Sequence, residues 1–288
     1  MKFVAVGGGH GTAVSLRALK RLSPNVTGVV SVADDGGSTG RLRAMLNVAA
    51  VGDIRKCLVA LADPANPLTA SFEHRFTVGE LSGHAVGNLL LVGLIDATGN
   101  LEESVRALAQ VMGVTGTILP ASSEGVVLVA TTEEGETRGQ TEVARTSAIR
   151  RISLEPARPA APIDAVEAIE RADVVLIGPG SLFTSVIAAC VVPGITQALA
   201  GTRAKKIYIA NLHPEVPETK GFTLQDHLDA LERHGVHVDL VLVDERSSFW
   251  NDPSSVERRV VDLSGRNGLV HDVQKLAVAV FEAAPETT

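Results

Sequence analysis

Apolar positions along this chain come in short dense runs that stop at glycine and resume with helical spacing. Residues 2–6 read as a strand, 12–21 as a helix and 26–32 as a second strand. Residues 52–62 read as a helix with Ile54, Leu58 and Leu61 on one face, and the proline-containing stretch 63–70 as a loop. Two helices are predicted over 83–98 and 101–112, then short strands at 117–119, 125–131 and 136–139, with Glu133, Glu134 and Gly135 forming a hairpin turn. A strand at 149–155, a helix at 163–171, strands at 174–177, 206–210 and 238–243, and helices at 224–234 and 271–283 complete the pattern. The Pro/Ala-rich stretch 156–162 reads as a surface loop, because the α/β alternation resumes directly after it. Short apolar strands alternating with helices predict a doubly wound, mostly parallel sheet in a single domain over residues 1–288. Ligands are then expected at the carboxyl ends of the strands.

Composition sharpens this. Hydrophobic residues make up 45% of the chain but aromatics only 3%, so the core must be built from Val, Leu, Ile and Ala. Such runs suit a parallel sheet covered on both faces. The formal net charge of −7 and the lack of long Lys/Arg runs argue against nucleic-acid binding. Cys57 and Cys190 lie far apart with no metal-type spacing, which predicts reduced, buried thiols. No signal peptide or apolar stretch of spanning length is read, so no membrane span and a cytoplasmic location are expected.

The candidate chemistry lies in glycine loops that follow strands. Gly7, Gly8, Gly9, His10, Gly11 and Thr12 come after the first strand. Free backbone N–H groups at a helix start favour phosphates. This loop only loosely matches the dinucleotide fingerprint, and a tight turn is the competing explanation. After the second strand come Asp34, Asp35, Gly36, Gly37, Ser38, Thr39, Gly40 and Arg41. One of the paired carboxylates could accept from a ribose and the other hold magnesium, or one could cap a helix. Asp53 reads as a helix cap, with Arg55 within reach of a phosphate. His84 and Asn88 stand at the mouth of an apolar helix, where the helix dipole favours a neutral imidazole. The third loop is Gly178, Pro179, Gly180, Ser181, Leu182, Phe183, Thr184 and Ser185. Ser181 is its candidate N-cap, and Thr184 and Ser185 are candidate phosphate donors. It matches neither a Walker loop nor a nucleophile elbow. Asn211 follows a later strand onto the same rim.

These motifs, in this order, resemble the YvcK group of gluconeogenesis factors, within the superfamily of CofD, the 2-phospho-L-lactate transferase of coenzyme F420 synthesis. The resemblance runs over nearly the whole chain. His10 departs from the group's usual Thr, and the segment Asn211–Gly221 from its usual Pro-Gly-Glu-Thr; residues 244–268 do not align. The resemblance implies a Rossmann-like α/β protein that binds a nucleotide diphosphate sugar such as UDP-N-acetylglucosamine. It also implies regulatory protein partners in cell-wall synthesis and a role in cell shape during gluconeogenic growth. Homo-oligomerisation is compatible with it. The implied ligand-binding set is Gly8, Gly9, His10, Gly11, Thr12, Asp34, Asp35, Gly37, Ser38, Arg41, Asp53, Arg55, His84, Asn88, Gly178, Gly180, Ser181, Thr184, Ser185 and Asn211, with Asp34 and Asp35 as candidate magnesium ligands. The alternative is a CofD-type magnesium-dependent phospho-lactyl transferase. A single Trp and a single Tyr supply no aromatic wall for a flavin-like acceptor, which weighs against it. A nicotinamide oxidoreductase rests on the first loop alone, since no acidic residue stands about twenty positions beyond it.

Overall fold

The computed structural model describes residues 1–46 and 48–285. Asn47 and residues 286–288, part of the expected domain, lie outside the described residues. In chain order the elements begin β1 (Phe3–Gly7), α1 (Gly9–Lys20), β2 (Val26–Val30), α2 (Gly37–Leu46), α3 (Gly52–Leu61), α4 (Pro67–Glu73), α5 (Val86–Thr98) and α6 (Leu101–Val111). There follow β3 (Thr117–Pro120), β4 (Val127–Thr132), β5 (Gly135–Arg138), α7 (Gln140–Val143), β6 (Arg151–Glu155), α8 (Ile163–Glu170) and β7 (Val174–Ile177). A π-helical turn, Leu182–Ile187, runs into α9 (Ala188–Cys190) and is followed by α10 (Pro193–Gly201). The chain closes with β8 (Lys205–Ile209), α11 (Leu224–Arg233), β9 (Leu240–Asp244), β10 (Glu257–Val261) and α12 (Val273–Ala283).

Seven strands form one sheet in the order β10-β9-β8-β7-β1-β2-β3. Every pairing in it is parallel. All residues of β1, β7 and β9 are buried, as strands covered on both faces must be. This is the Rossmann-like α/β architecture that the apolar runs predict. Helix α1 packs against α3 and α12, and α8 against α10. The hairpin around Glu133–Gly135 belongs to a separate three-stranded antiparallel sheet, β5-β4-β6.

The structure departs from the sequence reading in several places, each with a local cause. Within the expected loop 63–70 a helix begins at Pro67. Asn66 caps it by accepting from the Leu68 N–H at 3.0 Å, and proline is well tolerated in a first helical turn, where its missing N–H costs nothing. The apolar helix expected from residue 83 starts at Val86, so His84 precedes its N-cap, Ala85. Strand β10 falls in the segment that resists alignment. It is an edge strand whose charged residues Glu257, Arg258 and Arg259 hide any apolar run. Both cysteines are free and buried. Burial alone raises the Cys190 thiol to about 12, which makes it unreactive.

Candidate functional site

Strand β1 lies between β2 and β7, so the strand order reverses between β1 and β7. In open α/β sheets, ligands bind at such a reversal, outside the carboxyl strand ends. The loops leaving β1 and β7 meet there. A Cβ on Gly11 would sit 2.0 Å from the Pro179 carbonyl oxygen, so contact between the two backbones requires glycine. Gly9 takes φ +68°, in the left-handed region that glycine enters freely.

Helix α1 begins without a side-chain cap and has no acidic residue in its first turn. Its leading N–H groups are therefore left to a ligand. That turn lines a cavity of about 500 Å³ together with Asp34, Asp53, Lys56, Gly180, Ser181, Thr184 and Ser185. Gln140, Thr141, Ala144, Arg145 and Glu215 complete the wall. A second cavity of about 280 Å³ adjoins it through His10, Gly11, Gly180 and Glu215, and is walled by Val14, Pro179, Leu212, Pro214 and Val270 among others. Burial, with Lys56 second, holds His10 below the ordinary imidazole range. A neutral imidazole therefore stands where the two cavities join.

The paired carboxylates point to different places. Asp35 Oδ1 accepts from the Thr141 N–H at 2.8 Å and from the Thr141 hydroxyl at 2.7 Å. It ties the small antiparallel sheet to the rim and does not line the cavity. Asp34 does line it, and its Oδ1 accepts from the Gly36 N–H at 2.9 Å. The carboxyl of Asp34 is pushed up by burial first and by the charge of Asp53 second. Asp53 in turn is paired with Lys56 at 3.0 Å. Asp53, and not Asp35, is the carboxylate that shares the cavity wall with Asp34. Among the described residues no three His, Cys, Asp or Glu side chains converge as a metal site. Two carboxylates still fit magnesium, which commonly takes one or two together with water and substrate phosphate oxygens.

The third loop is already satisfied from within. Glu218 Oε1 accepts from the N–H groups of Phe183 and Thr184 at 2.7 and 3.3 Å, and Oε2 from the Thr184 hydroxyl at 2.9 Å. An internal carboxylate thus takes the hydroxyl and N–H of Thr184, one of the two residues that the sequence reading assigned to a phosphate, while Ser185 remains on the cavity wall. Ser181 sits at the N-cap position but makes no capping hydrogen bond. Asn211 clasps Gly180 through both its amide atoms, each at 3.1 Å, and so fixes the loop's shape. Gly178 and Thr12 also support the site from behind: the Gly178 carbonyl accepts from Ser15 at 2.7 Å, and Thr12 donates to the Gly8 carbonyl at 3.1 Å.

Burial drives the Glu218 carboxyl up to about 7, against the pull of its three donors. A folded-state value above the unfolded value of 4.5 means that the native chain holds this proton longer. The contribution of Glu218 to stability is therefore fully present below pH 4.5 and is lost as pH rises through about 7. Urea unfolding at pH 5 and pH 8 is expected to show Glu218→Gln gaining on the wild type as pH rises. A constant difference between the two pH values would refute this.

Around the second loop a buried polar network replaces direct ligand contact. Arg55 is 4% exposed and donates to Asn88 Oδ1 at 3.1 Å, to Glu73 at 2.5 Å and to the Phe72 carbonyl. Asn88 donates to the hydroxyls of Ser38 and Thr39, both at 3.3 Å, and His84 Nδ1 meets Ser38 at 3.0 Å. These residues seat the start of α2 on α5. Arg55 was expected to reach for a phosphate; its guanidinium is instead anchored by these partners. Gly37, Ser38, Arg41, Arg55 and Asn88 line a neighbouring cavity, whereas His84 lies outside its lining. Sequence reasoning missed Gln140, Thr141 and Arg145, which follow a hairpin and carry no periodic pattern. It also passed over Lys56 and Glu215 within motifs it had quoted.

The family model described as 2-phospho-L-lactate transferase CofD matches residues 3–284. The chain belongs to the CofD family. Within the family it is similar to the gluconeogenesis factor of Halalkalibacterium halodurans, 42% identical over 83% of this chain and 76% of that protein. A relative in Thermotoga maritima is 42% identical over 85% of this chain and 79% of its own length. A Nostoc relative is 44% identical over 80% of this chain, which spans only 51% of that protein. A crystal structure of a UPF0052 family member from Bacillus halodurans superposes with a TM-score of 0.89 at 35% identity, covering 97% of this chain and 98% of the other. The family's gluconeogenesis factor group is the one that the five motifs resemble. Among the described residues no single helix is long and apolar enough to cross a membrane.

Proposed function

We propose that this chain binds a nucleotide diphosphate sugar of the UDP-N-acetylglucosamine type and acts as a regulatory protein of cell-wall synthesis. The observation that carries this is the uncapped start of α1, opening at the strand-order reversal into a cavity of about 500 Å³. Backbone donors and Lys56 would take the diphosphate. The adjoining, more apolar cavity offers room for a ring. Asp34 and Asp53 would repel a bare diphosphate, and they are the residues that would hold magnesium to offset that repulsion. When bound, the ion would neutralise the diphosphate charge.

Isothermal titration with UDP-N-acetylglucosamine, UDP, GDP and NAD tests the reading, with and without magnesium. Binding of the UDP-sugar is expected, stronger with magnesium, and about tenfold weaker in Lys56→Ala through loss of a charged hydrogen bond. Failure of every UDP-sugar to bind would overturn it.

A second reading, a CofD-type transferase, is favoured by the Asp34–Asp53 pair and by the family itself. Its mark is magnesium-dependent turnover of a phosphoanhydride that Asp34→Asn abolishes. Turnover equal in both proteins would remove these carboxylates from any chemistry.

A further inference from the structure

A cavity of about 590 Å³ lies beside the first and shares Asp34 and Lys56 with it. Its floor is the buried network of Ser38, Thr39, Asn88 and Arg55. Two further arginines line it, Arg41 from α2 and Arg75 from the turn after α4. Arg41 Nη2 donates to the Ser82 carbonyl at 2.8 Å, and Arg75 Nη1 donates to the Gly83 carbonyl at 2.9 Å. Consecutive carbonyls of one turn therefore hold the two guanidiniums beside each other.

Elsewhere along the cavity the cations are paired, Arg55 with Glu73 and Lys56 with Asp53. Among the described residues Arg41 and Arg75 have only carbonyl partners. Carbonyl dipoles fix them in place without cancelling their charge. Two held guanidiniums with no carboxylate between them form a fork-like donor set for a tetrahedral oxyanion. Nearby His84 adds no positive charge of its own, since burial first and then these two arginines keep it below the ordinary imidazole range.

We propose that this cavity is a second anion site, which takes a phosphoryl group carried by a molecule other than the one in the first cavity. Asp34 stands on the boundary between the two cavities, and Asp53 lines the first. Without a bound cation, a single polyphosphate chain threading both would have to pass that acidic pair, and Lys56, the cation both cavities share, is already paired with Asp53. Two separate anions, one on each side, avoid it. The inference does not depend on which nucleotide, if any, fills the first cavity.

The probe is inorganic phosphate, with thermal unfolding compared in phosphate and chloride at matched ionic strength. Near-saturating phosphate is expected to raise the wild-type Tm by roughly 3–5 °C. The rise should shrink in Arg41→Gln and in Arg75→Gln, any remainder belonging to the first cavity. In chloride, Arg75→Gln should melt no lower than the wild type, because it removes one of two neighbouring like charges; a purely structural arginine would give a lower Tm. Titration of UDP into Arg75→Gln should match the wild type within about twofold. The inference is overturned by equal phosphate shifts in all three proteins, by no shift in the wild type, or by loss of the wild-type shift once UDP is bound. Failure of UDP to bind the wild type would count against the nucleotide reading alone, because the phosphate arm does not need it.

Discussion

Gly11→Ala is expected to lower stability by about 2–3 kcal/mol, a fall in Tm of roughly 3–5 °C. The added methyl would lie 2.0 Å from the Pro179 carbonyl oxygen and 2.5 Å from its carbon. Both are backbone atoms, so no side-chain rotation relieves the overlap. Within a helix, alanine ordinarily gains up to about 1 kcal/mol over glycine, and the overlap must exceed that gain. Gly93 on α5 supplies the control, since nothing lies within 4 Å of a Cβ built there. Gly93→Ala should therefore stabilise the chain while Gly11→Ala destabilises it. Differential scanning calorimetry of both variants decides the matter, and equal shifts in the same direction would show that the two loops do not touch. Ligand affinity should fall with stability in Gly11→Ala alone, because separating the loops opens the cavity between them.

Arg55→Lys is expected to cost about 2–4 kcal/mol despite keeping the charge. A single ammonium cannot reach Asn88, Glu73 and the Phe72 carbonyl together, as the planar guanidinium does. Glu73 is half-exposed and regains water, so the larger share of the loss falls on Asn88, which is 2% exposed. An amide oxygen left without a donor at that depth carries the full desolvation cost. Since Asn88 also holds Ser38 and Thr39, the start of α2 should loosen with it. Hydrogen exchange is expected to accelerate in α2 while β1 and β7 keep their protection. Uniform acceleration across the chain would mean that Arg55 supports the whole fold and not this loop.

The parallel sheet is legible in the sequence because strands buried on both faces must be apolar throughout. Phe3–Val6 and Val174–Ile177 show this directly. The edge strand at Glu257–Val261 lacks that constraint and escapes notice. Glycine loops are legible for a similar reason, as a strand end followed by a helix start leaves few alternatives. What each loop does is another matter. Asp34 and Asp35 are neighbours in the chain, yet one faces the cavity and the other grips Thr141, 106 positions away. Glu218 fills the third loop from 34 positions beyond Thr184. Such pairings depend on side-chain direction and distant topology, which spacing does not encode. The first loop leaves its helix start without a side-chain cap, while Glu218 takes the Thr184 donors of the third.

The grip of Asp35 on Thr141 bears on how this family could diversify. The small antiparallel sheet is an excursion from the main α/β scaffold, and excursions are where insertions and deletions are tolerated. Here, however, the excursion brings Gln140, Thr141, Ala144 and Arg145 to the cavity wall. Trimming it would open one side of the site and strand the Asp35 carboxylate, while lengthening the hairpin would leave the wall intact. Relatives with different ligand preferences could therefore share the glycine loops unchanged and differ in this flap of four wall residues, much as a lock is rekeyed without replacing the bolt.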